Sequence, residues 1–114
     1  MAIKNKSTLS PAQLAIVARL FAVLAEPTRL AILQALQPGP LSVNELVETC
    51  GLKQANVSKH LALLHAQHLV KRERRGTSVI YAVADPMVFS LCQLVCSKME
   101  RDVKRTAALF APEI

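Results

Sequence analysis

The chain has 114 residues and a formal net charge of +6, and 52% of it is apolar although only 4% is aromatic. This length predicts one domain spanning residues 1–114, and the aliphatic excess, too interrupted for a membrane-spanning helix, predicts burial against a second copy of the chain. Three cysteines argue against a closed disulfide framework, and residues 1–10 lack the apolar run of a signal peptide, so we expect a cytoplasmic protein with reduced thiols and no membrane partner.

The first predicted helix begins at Pro11, because Ser10 can cap it and Gln13 stands where a capping box places Glu or Gln. It carries two apolar rows, and a helix that is apolar on two sides is buried on two sides. We therefore expect one row to face the chain's own core and the other to face a dimer partner. The core row is Leu14, Val17, Ala18, Phe21 and Leu24, and the dimer row is Ile16, Leu20 and Val23.

A helix-turn-helix pattern comes after the second predicted helix. That second helix starts at Glu26-Pro27-Thr28 and ends at Pro38-Gly39-Pro40. Its inward residues are Leu30, Leu33 and Leu36. Ser42 and Glu45 form another capping box, which opens a short helix that Gly51 closes in the left-handed conformation. A fourth helix is predicted from Gln54 to Gln67, and its inward residues are Val57, Leu61 and Leu64. Two helices joined around Gly51 are typical of a helix-turn-helix.

The period of the sequence then changes from helix to strand. Val70 to Arg75 and Ser78 to Val83 are separated by Gly76-Thr77, which predicts a β-hairpin. Asp85-Pro86 is predicted to cap a last helix. The fold class is therefore mainly α with one hairpin, in the order of four helices, two strands and a helix.

Most of the positive charge is local. Six Lys and Arg residues and one Glu lie between Gly51 and Tyr81, so this stretch carries five of the six excess charges. A basic surface of this kind indicates a polyanionic partner, although it is also compatible with a merely solubilising face.

Several segments together resemble the ArsR/SmtB family of winged-helix repressors. They are Glu26–Leu33, Leu41–Leu46, Gly51–Leu61 and the Leu69-Val70 pair that precedes the basic hairpin. The resemblance implies a winged helix-turn-helix of order α1-α2-α3-α4-β-β-α5 and a homodimer formed by the first and last helices. It implies that the fourth helix enters the major groove of an imperfect palindrome in double-stranded DNA, beside which the hairpin lies as a wing. The interface residues expected on this basis are Ile16, Leu20, Val23, Leu91, Val95 and Met99.

The residues expected at the DNA are those that match the family's contact positions or carry suitable groups beside them. Gln and Asn pair with adenine, Lys donates to guanine, hydroxyls bind phosphate, and Arg at a hairpin tip neutralises phosphates or enters a minor groove. Asn56 is equally suited to capping, and His60 is expected to pack inward. The candidates are Lys53, Gln54, Ala55, Asn56, Ser58, Lys59, Arg72, Arg74, Arg75 and Thr77.

Two positions depart from the family's pattern. Lys53 replaces a capping Ser, which adds positive charge and removes a cap worth about 1 kcal/mol. His68 replaces a Gly, so it is predicted to adopt a positive φ angle, which His tolerates better than most residues.

The inducing signal is open. The family's zinc site on the last helix is not expected, because Met87 follows Asp85 where a His is needed and the later positions are Lys98 and Arg101. The Cys-x-Cys pair of other members is absent from Val43–Val47. Cys92 and Cys96 remain, one helical turn apart, as a pair for a soft metal or metalloid ion or for an oxidant or persulfide.

The same two cysteines also continue an apolar stripe with Met99 and Val103, and free Cys often packs as a small hydrophobe. A sensor and a structural role are therefore equally supported by the sequence, and Cys50, beside Gly51, is expected to be structural. The function predicted is a DNA-binding regulator that acts, as the resemblance implies, as a repressor released by a thiol-directed signal. The alternatives are a repressor without sensing and a protein–protein adaptor, and an enzyme is not expected, since no catalytic constellation or phosphate loop is present in the sequence.

Overall fold

The computed structural model describes residues 8–112 of the chain. The residues group into two compact units, one up to Ala84 and one from Asp85 onward. The expectation about a signal peptide falls largely on residues outside the described range. None of the helices within that range is both long and apolar enough to cross a membrane.

The predicted order of elements is confirmed, with one strand added. The elements are α1 (Pro11–Leu24), α2 (Pro27–Leu36), β1 (Leu41–Ser42), α3 (Val43–Cys50), α4 (Gln54–Ala66), β2 (Val70–Arg75), β3 (Ser78–Val83) and α5 (Met87–Leu109). The predicted bounds of the two hairpin strands agree with β2 and β3, and the fourth helix ends one residue earlier than predicted.

The prediction of a two-stranded hairpin was incomplete, because β1 makes it a three-stranded antiparallel sheet of order β1-β3-β2. Leu41 pairs with Tyr81 and Ser42 with Ile80. Two residues are too few to show an alternating pattern, and Ser42 is also the N-cap of α3, so only its helical signal was visible in the sequence.

Both predicted capping boxes are confirmed. The Ser10 hydroxyl accepts from the Gln13 backbone N–H at 3.2 Å, and the Gln13 side chain accepts from the Ser10 N–H at 2.8 Å. The corresponding distances for Ser42 and Glu45 are 3.1 Å and 3.0 Å. Each box satisfies two of the N–H groups that a helix start leaves without a partner, and thereby fixes where α1 and α3 begin.

The core of the first unit lies where α2, α3 and α4 pack together and against the sheet. The predicted inward residues of α4 are fully buried. On α2, the prediction for Leu30 was wrong, because it is 36% exposed and Ile32 is buried instead. Neighbouring Ile32, Leu33 and Leu36 share one side of the helix, so the core follows a stripe shifted from the row of every third residue. The buried apolar residues of this unit are Leu24, Ile32, Leu33, Leu36, Leu46, Val57, Leu61, Leu64, Leu69, Val70 and Tyr81.

The assignment of the two apolar rows of α1 also needs correction. In the row predicted to face the core, Leu14, Val17 and Phe21 are exposed, and only Leu24 is buried. In the row assigned to the dimer, Ile16 is 59% exposed, whereas Leu20 and Val23 are half-buried. The reason is that α1 packs on α2, and the side of α1 that loses exposure is the one that carries Leu20, Val23 and Leu24.

Two tight connections depend on the left-handed backbone conformation, as predicted. Gly51 ends α3 with φ of 65°, and its N–H donates to the Val47 carbonyl at 3.0 Å. His68, between α4 and β2, has φ of 58°. These residues set the direction in which α4 leaves α3 and in which the chain enters the sheet.

The second unit contains the 23-residue helix α5. The predicted cap is present in part: the Asp85 carboxylate accepts from the Met87 backbone N–H at 2.9 Å, whereas Pro86, at the N-cap position, makes no side-chain hydrogen bond. Large apolar side chains of α5 are exposed, among them Leu94, Val95, Met99 and Val103.

Candidate nucleic-acid interface

The outward side of α4 carries polar side chains and one small apolar residue, Ala55. Val57, Leu61 and Leu64 anchor the opposite side in the core, and because successive helical residues are about 100° apart, Ala55 and Lys59 face away from it. Ser58 and Asn56 lie on the two flanks of that outward side, and Gln54 is the first residue of the helix. All of these residues are exposed. The helix therefore presents amide, hydroxyl and ammonium groups together on a rigid, well-anchored element.

The N-terminus of α4 has no side-chain cap. Lys53 occupies the N-cap position with extended backbone, and its side chain makes no capping hydrogen bond. The predicted loss of the cap is therefore confirmed. The first N–H groups of α4, at the positive end of the helix dipole, directly follow an exposed lysine, a combination that favours an anion.

The wing presents its cations on two different faces of the sheet. Arg72 pairs with Tyr81 and Arg74 with Val79, so these two arginines share the face that carries the buried Tyr81. Lys71 and Arg75 lie on the opposite face, since side chains alternate along a strand. The sequence located this basic hairpin but did not show that its charges are divided between faces.

One of the predicted wing cations already has a partner. The Arg75 guanidinium forms an exposed ion pair with Glu73, which lies on the same face of β2. Exposed pairs of this kind contribute little to stability, but the carboxylate reduces the positive potential around Arg75. Arg74, on the other face, has the more accessible charge of the two for a phosphate.

A small polar cleft of about 180 Å³ lies between the N-terminal ends of α3 and α4 and the tip of the wing. It is bounded by Gln54 at the start of α4, by Thr77 at the wing tip and by the N-terminal end of α3. Asn44 and Ser78 also line it and were not among the predicted residues. Asn44 is an exposed amide in the first turn of a helix-turn-helix, which is the sequence signal that would have found it. The predicted contact residues thus lie on one unit, but of them only Gln54 and Thr77 line this cleft.

The cysteines differ in their surroundings. Cys92 is half-buried and Cys96 is exposed on α5, one turn apart. Cys50 is half-buried at the end of α3, and burial raises the pKa of its thiol above the ordinary value. A raised pKa lowers the fraction of reactive thiolate, which agrees with the structural role expected for Cys50.

The residues of α5 do not fit the zinc site found in parts of the family. At the C-terminal positions of that site, the Lys98 ammonium is paired with Asp102, and neither Lys98 nor Arg101 offers a lone pair while charged. Across residues 8–112, His, Cys, Asp and Glu side chains do not gather in any group of three or more that would hold a metal ion. Within one chain, the Cys92 and Cys96 sulfurs provide two soft ligands only.

Comparison with known proteins places the chain among transcriptional regulators. Residues 24–73 match the family described as "Helix-turn-helix domain". The regulator KmtR of Mycobacterium tuberculosis is 38% identical over 79 residues, which cover 69% of this chain and 61% of that protein. A "probable mercury resistance operon repressor" of Streptomyces lividans is 42% identical over 77 residues, or 68% of this chain and 62% of that protein. The chain thus spans about three fifths of the length of these relatives.

A solved structure matches over nearly its whole length. It is the homodimeric winged helix-turn-helix DNA-binding domain Mb0332 of Mycobacterium bovis, described as a possible ArsR-family transcriptional regulator. The identity is 30%, the TM-score is 0.71, and the match covers 90% of this chain and 95% of that one. With the same fold, this identity and the matched helix-turn-helix, the chain belongs to the ArsR/SmtB family of winged helix-turn-helix transcriptional regulators.

Proposed function

We propose that this chain is a DNA-binding transcriptional repressor, a single winged-helix domain that acts as a homodimer. The observation that carries the proposal is the exposed polar and basic side of α4 beside a basic wing, with the cleft between them. A protein–protein adaptor needs neither feature, whereas a duplex needs both: hydrogen-bonding groups for base edges and cations for phosphates.

In this arrangement α4 enters the major groove. Gln54 and Asn56 carry amides that pair bidentately with adenine, and Lys59 donates to guanine. Ala55 offers a methyl group to thymine, and Ser58 and Lys53 contact phosphates. The wing contacts the backbone or the minor groove through Arg72, Arg74, Arg75 and Thr77, and the cleft residue Asn44 adds a further phosphate contact.

The dimer is proposed to use the apolar surfaces that the described residues leave exposed. On α1 these are Leu14, Ile16, Val17 and Phe21, with Leu20 and Val23 at their edge. On α5 they are Val95, Met99 and Val103, with the half-buried Leu91 at their edge. The M. bovis domain of similar fold is a homodimer. A two-fold axis places two copies of α4 in successive major grooves, so the operator is an imperfect palindrome with half-sites about one helical turn apart.

Release from DNA is proposed to follow a thiol-directed signal at Cys92 and Cys96. Paired thiolates bind soft ions or react with oxidants, and the S. lividans relative is named for mercury resistance. Because Cys92 and Cys96 supply two sulfurs only, a closed trigonal or tetrahedral site needs further ligands from the second subunit or from the tails. In the oxidative version, two thiols lose two electrons and two protons to peroxide, which is reduced to water, and a disulfide forms.

The DNA proposal is tested with a duplex selected from a random library by the wild-type protein, followed by fluorescence anisotropy. Lys59→Ala is expected to weaken binding of the selected duplex about tenfold, because it removes the donor to guanine. Lys104→Ala removes the same charge from the exposed C-terminal half of α5 and serves as the control. Failure to select any sequence, or equal losses in both variants, would contradict docking through α4 and favour the adaptor.

The sensing proposal uses the same complex. Hg(II), As(III), peroxide and polysulfide are added separately to the reduced protein on DNA, with Cys92→Ser/Cys96→Ser and Cys50→Ser as variants. Release by one class of reagent, lost in the double variant and kept in Cys50→Ser, supports a thiol sensor and names its chemistry. If no reagent releases the DNA, the repressor acts without sensing at these thiols and Cys92 and Cys96 only pack.

A further inference from the structure

Two motifs far apart in sequence meet at the side chain of Arg29. Arg29 lies in the first turn of α2, and His60 lies in the middle of α4, 31 residues later. The Arg29 guanidinium stands 3.2 Å from His60 Nδ1 through one terminal nitrogen. Through its other nitrogens it donates to the backbone carbonyls of Val23 and, at 3.4 Å, of Ala22. One planar fork therefore joins the last turn of α1 to the recognition helix.

The chemistry of this contact fixes the state of His60. A guanidinium has five N–H donors and no acceptor, so the bond requires Nδ1 of His60 to accept. The imidazole must then be neutral, with its proton on Nε2. The charged groups that face the ring here are Arg29 itself and Glu26, whose carboxylate lies 3.9 Å from Nδ1 and accepts the Arg29 backbone N–H at 3.0 Å. Glu26 holds the first turn of α2, and with it Arg29, in place.

His60 is poorly exposed and lies next to an outward residue of α4, so loss of its contact with Arg29 would affect the orientation of this helix. Its side chain is only 15% exposed, so water has little access to replace a lost hydrogen bond. His60 directly follows Lys59, which is on the outward side of α4. A rotation of α4 that breaks the Arg29 bond therefore also turns the outward side relative to α1.

We propose that Arg29 is a positioning residue that locks the recognition helix to the end of α1 through neutral His60. The inference rests on the proposed function, in which α1 belongs to the dimer interface and α4 reads DNA. The lock then sets the angle between the dimer and each recognition helix, and hence the half-site geometry that the dimer accepts. Arg29 touches no DNA in this scheme, and its effect is on selectivity.

The DNA arm of the test compares Arg29→Gln, His60→Leu and His60→Asn with the wild type. Asn keeps an acceptor oxygen near the place of Nδ1, whereas Leu removes it at similar volume. We expect Arg29→Gln and His60→Leu to reduce the preference for the selected duplex over a scrambled duplex about tenfold, with an unchanged salt slope. His60→Asn should restore most of the preference. Circular dichroism at the assay temperature confirms that each variant is folded. Equal selectivity in His60→Leu and wild type, or no rescue by His60→Asn, would overturn the lock.

The second arm needs no DNA. Nitrogen-15 NMR of the histidine side chains at neutral pH reports which ring nitrogen carries the proton. We expect His60 in one form, with Nε2 protonated and Nδ1 accepting, and a mixture of forms in Arg29→Gln. A protonated Nδ1 in the wild type overturns the lock even if DNA binding is intact. If His60 has the expected form, with Nε2 protonated, but the protein binds no DNA sequence-specifically, the proposed function is overturned and the Arg29–His60 contact is still supported.

Discussion

At the scale of single residues, His68 carries a conformational cost that the fold does not avoid. It is the one non-glycine residue with positive φ between residues 8 and 112, and its side chain is exposed. We expect His68→Gly to stabilise the protein by about 0.5–1 kcal/mol, because glycine removes the left-handed strain at some cost in unfolded-state entropy. Differential scanning calorimetry should show a rise in Tm of a few degrees. His68→Ala, which keeps the Cβ, is the control, and an equal gain there would contradict this cause.

Glu26 predicts a pH dependence. Partial desolvation raises the pKa of its carboxyl, but the N–H of Arg29, the neighbouring His60 and Arg29 side chains and the N–H of Thr28 together lower it below the ordinary value of 4.5. A lowered folded-state pKa adds stability that is present above pH 4.5 and is lost as the pH falls through the folded pKa. The Tm difference between wild type and Glu26→Gln should therefore be larger at pH 7 than at pH 3. A difference that grows toward pH 3 would have the wrong sign.

At the scale of elements, the sequence predicted what local chemistry decides. Capping boxes at Ser10 and Ser42, the left-handed Gly51 and the alternation of the hairpin each leave a signal within a few residues, and these elements were located correctly. The side of α1 that faces inward, the pairing of β1 and the Arg29–His60 contact depend on partners distant in sequence. Period alone does not say which of two apolar rows meets α2, so that part was not predictable.

The missing cap of α4 gives an element-scale prediction. Lys53→Ser should stabilise the protein by about 1 kcal/mol, because a serine hydroxyl accepts from the first N–H groups of the helix. The same change should lower the salt slope of DNA binding by about 0.9 if Lys53 contacts a phosphate. Urea denaturation and anisotropy measure the two effects. Lys53→Ala removes the charge without supplying a cap. It should therefore lower the salt slope of DNA binding by the same amount as Lys53→Ser, but it should not stabilise the protein.

The divided faces of the wing predict unequal arginines. Arg74 shares its face with Val79, which lines the cleft beside Gln54, whereas Arg75 lies on the other face and is paired with Glu73. We expect Arg74→Ala to weaken binding of the selected duplex more than Arg75→Ala. Glu73→Gln should strengthen binding slightly, since it frees Arg75. A larger loss of DNA affinity in Arg75→Ala than in Arg74→Ala would mean that the wing approaches DNA with the face that carries Lys71 and Arg75.

At the scale of the whole molecule, the exposed apolar surface is the strongest argument for a second subunit. Met99 is 56% exposed and Leu94 is 68% exposed on the same helix, but they lie on different sides of α5. Met99 continues the stripe of Cys92, Cys96 and Val103, whereas Leu94 points about 140° away from Met99 at 100° per residue.

We therefore expect Met99→Lys to dissociate the dimer and Leu94→Lys to leave it intact, as measured by sedimentation equilibrium. Burying an ammonium in an apolar seam is costly, whereas the same charge on a solvated side is not. Dimer formation should also make the Tm of the wild type, but not that of Met99→Lys, depend on protein concentration, because association stabilises only the folded chain. A dimer that survives Met99→Lys and separates in Leu94→Lys would place the partner on the opposite side of α5. In that case Cys92 and Cys96 would lie outside the seam, and the two subunits could not share a soft ion there.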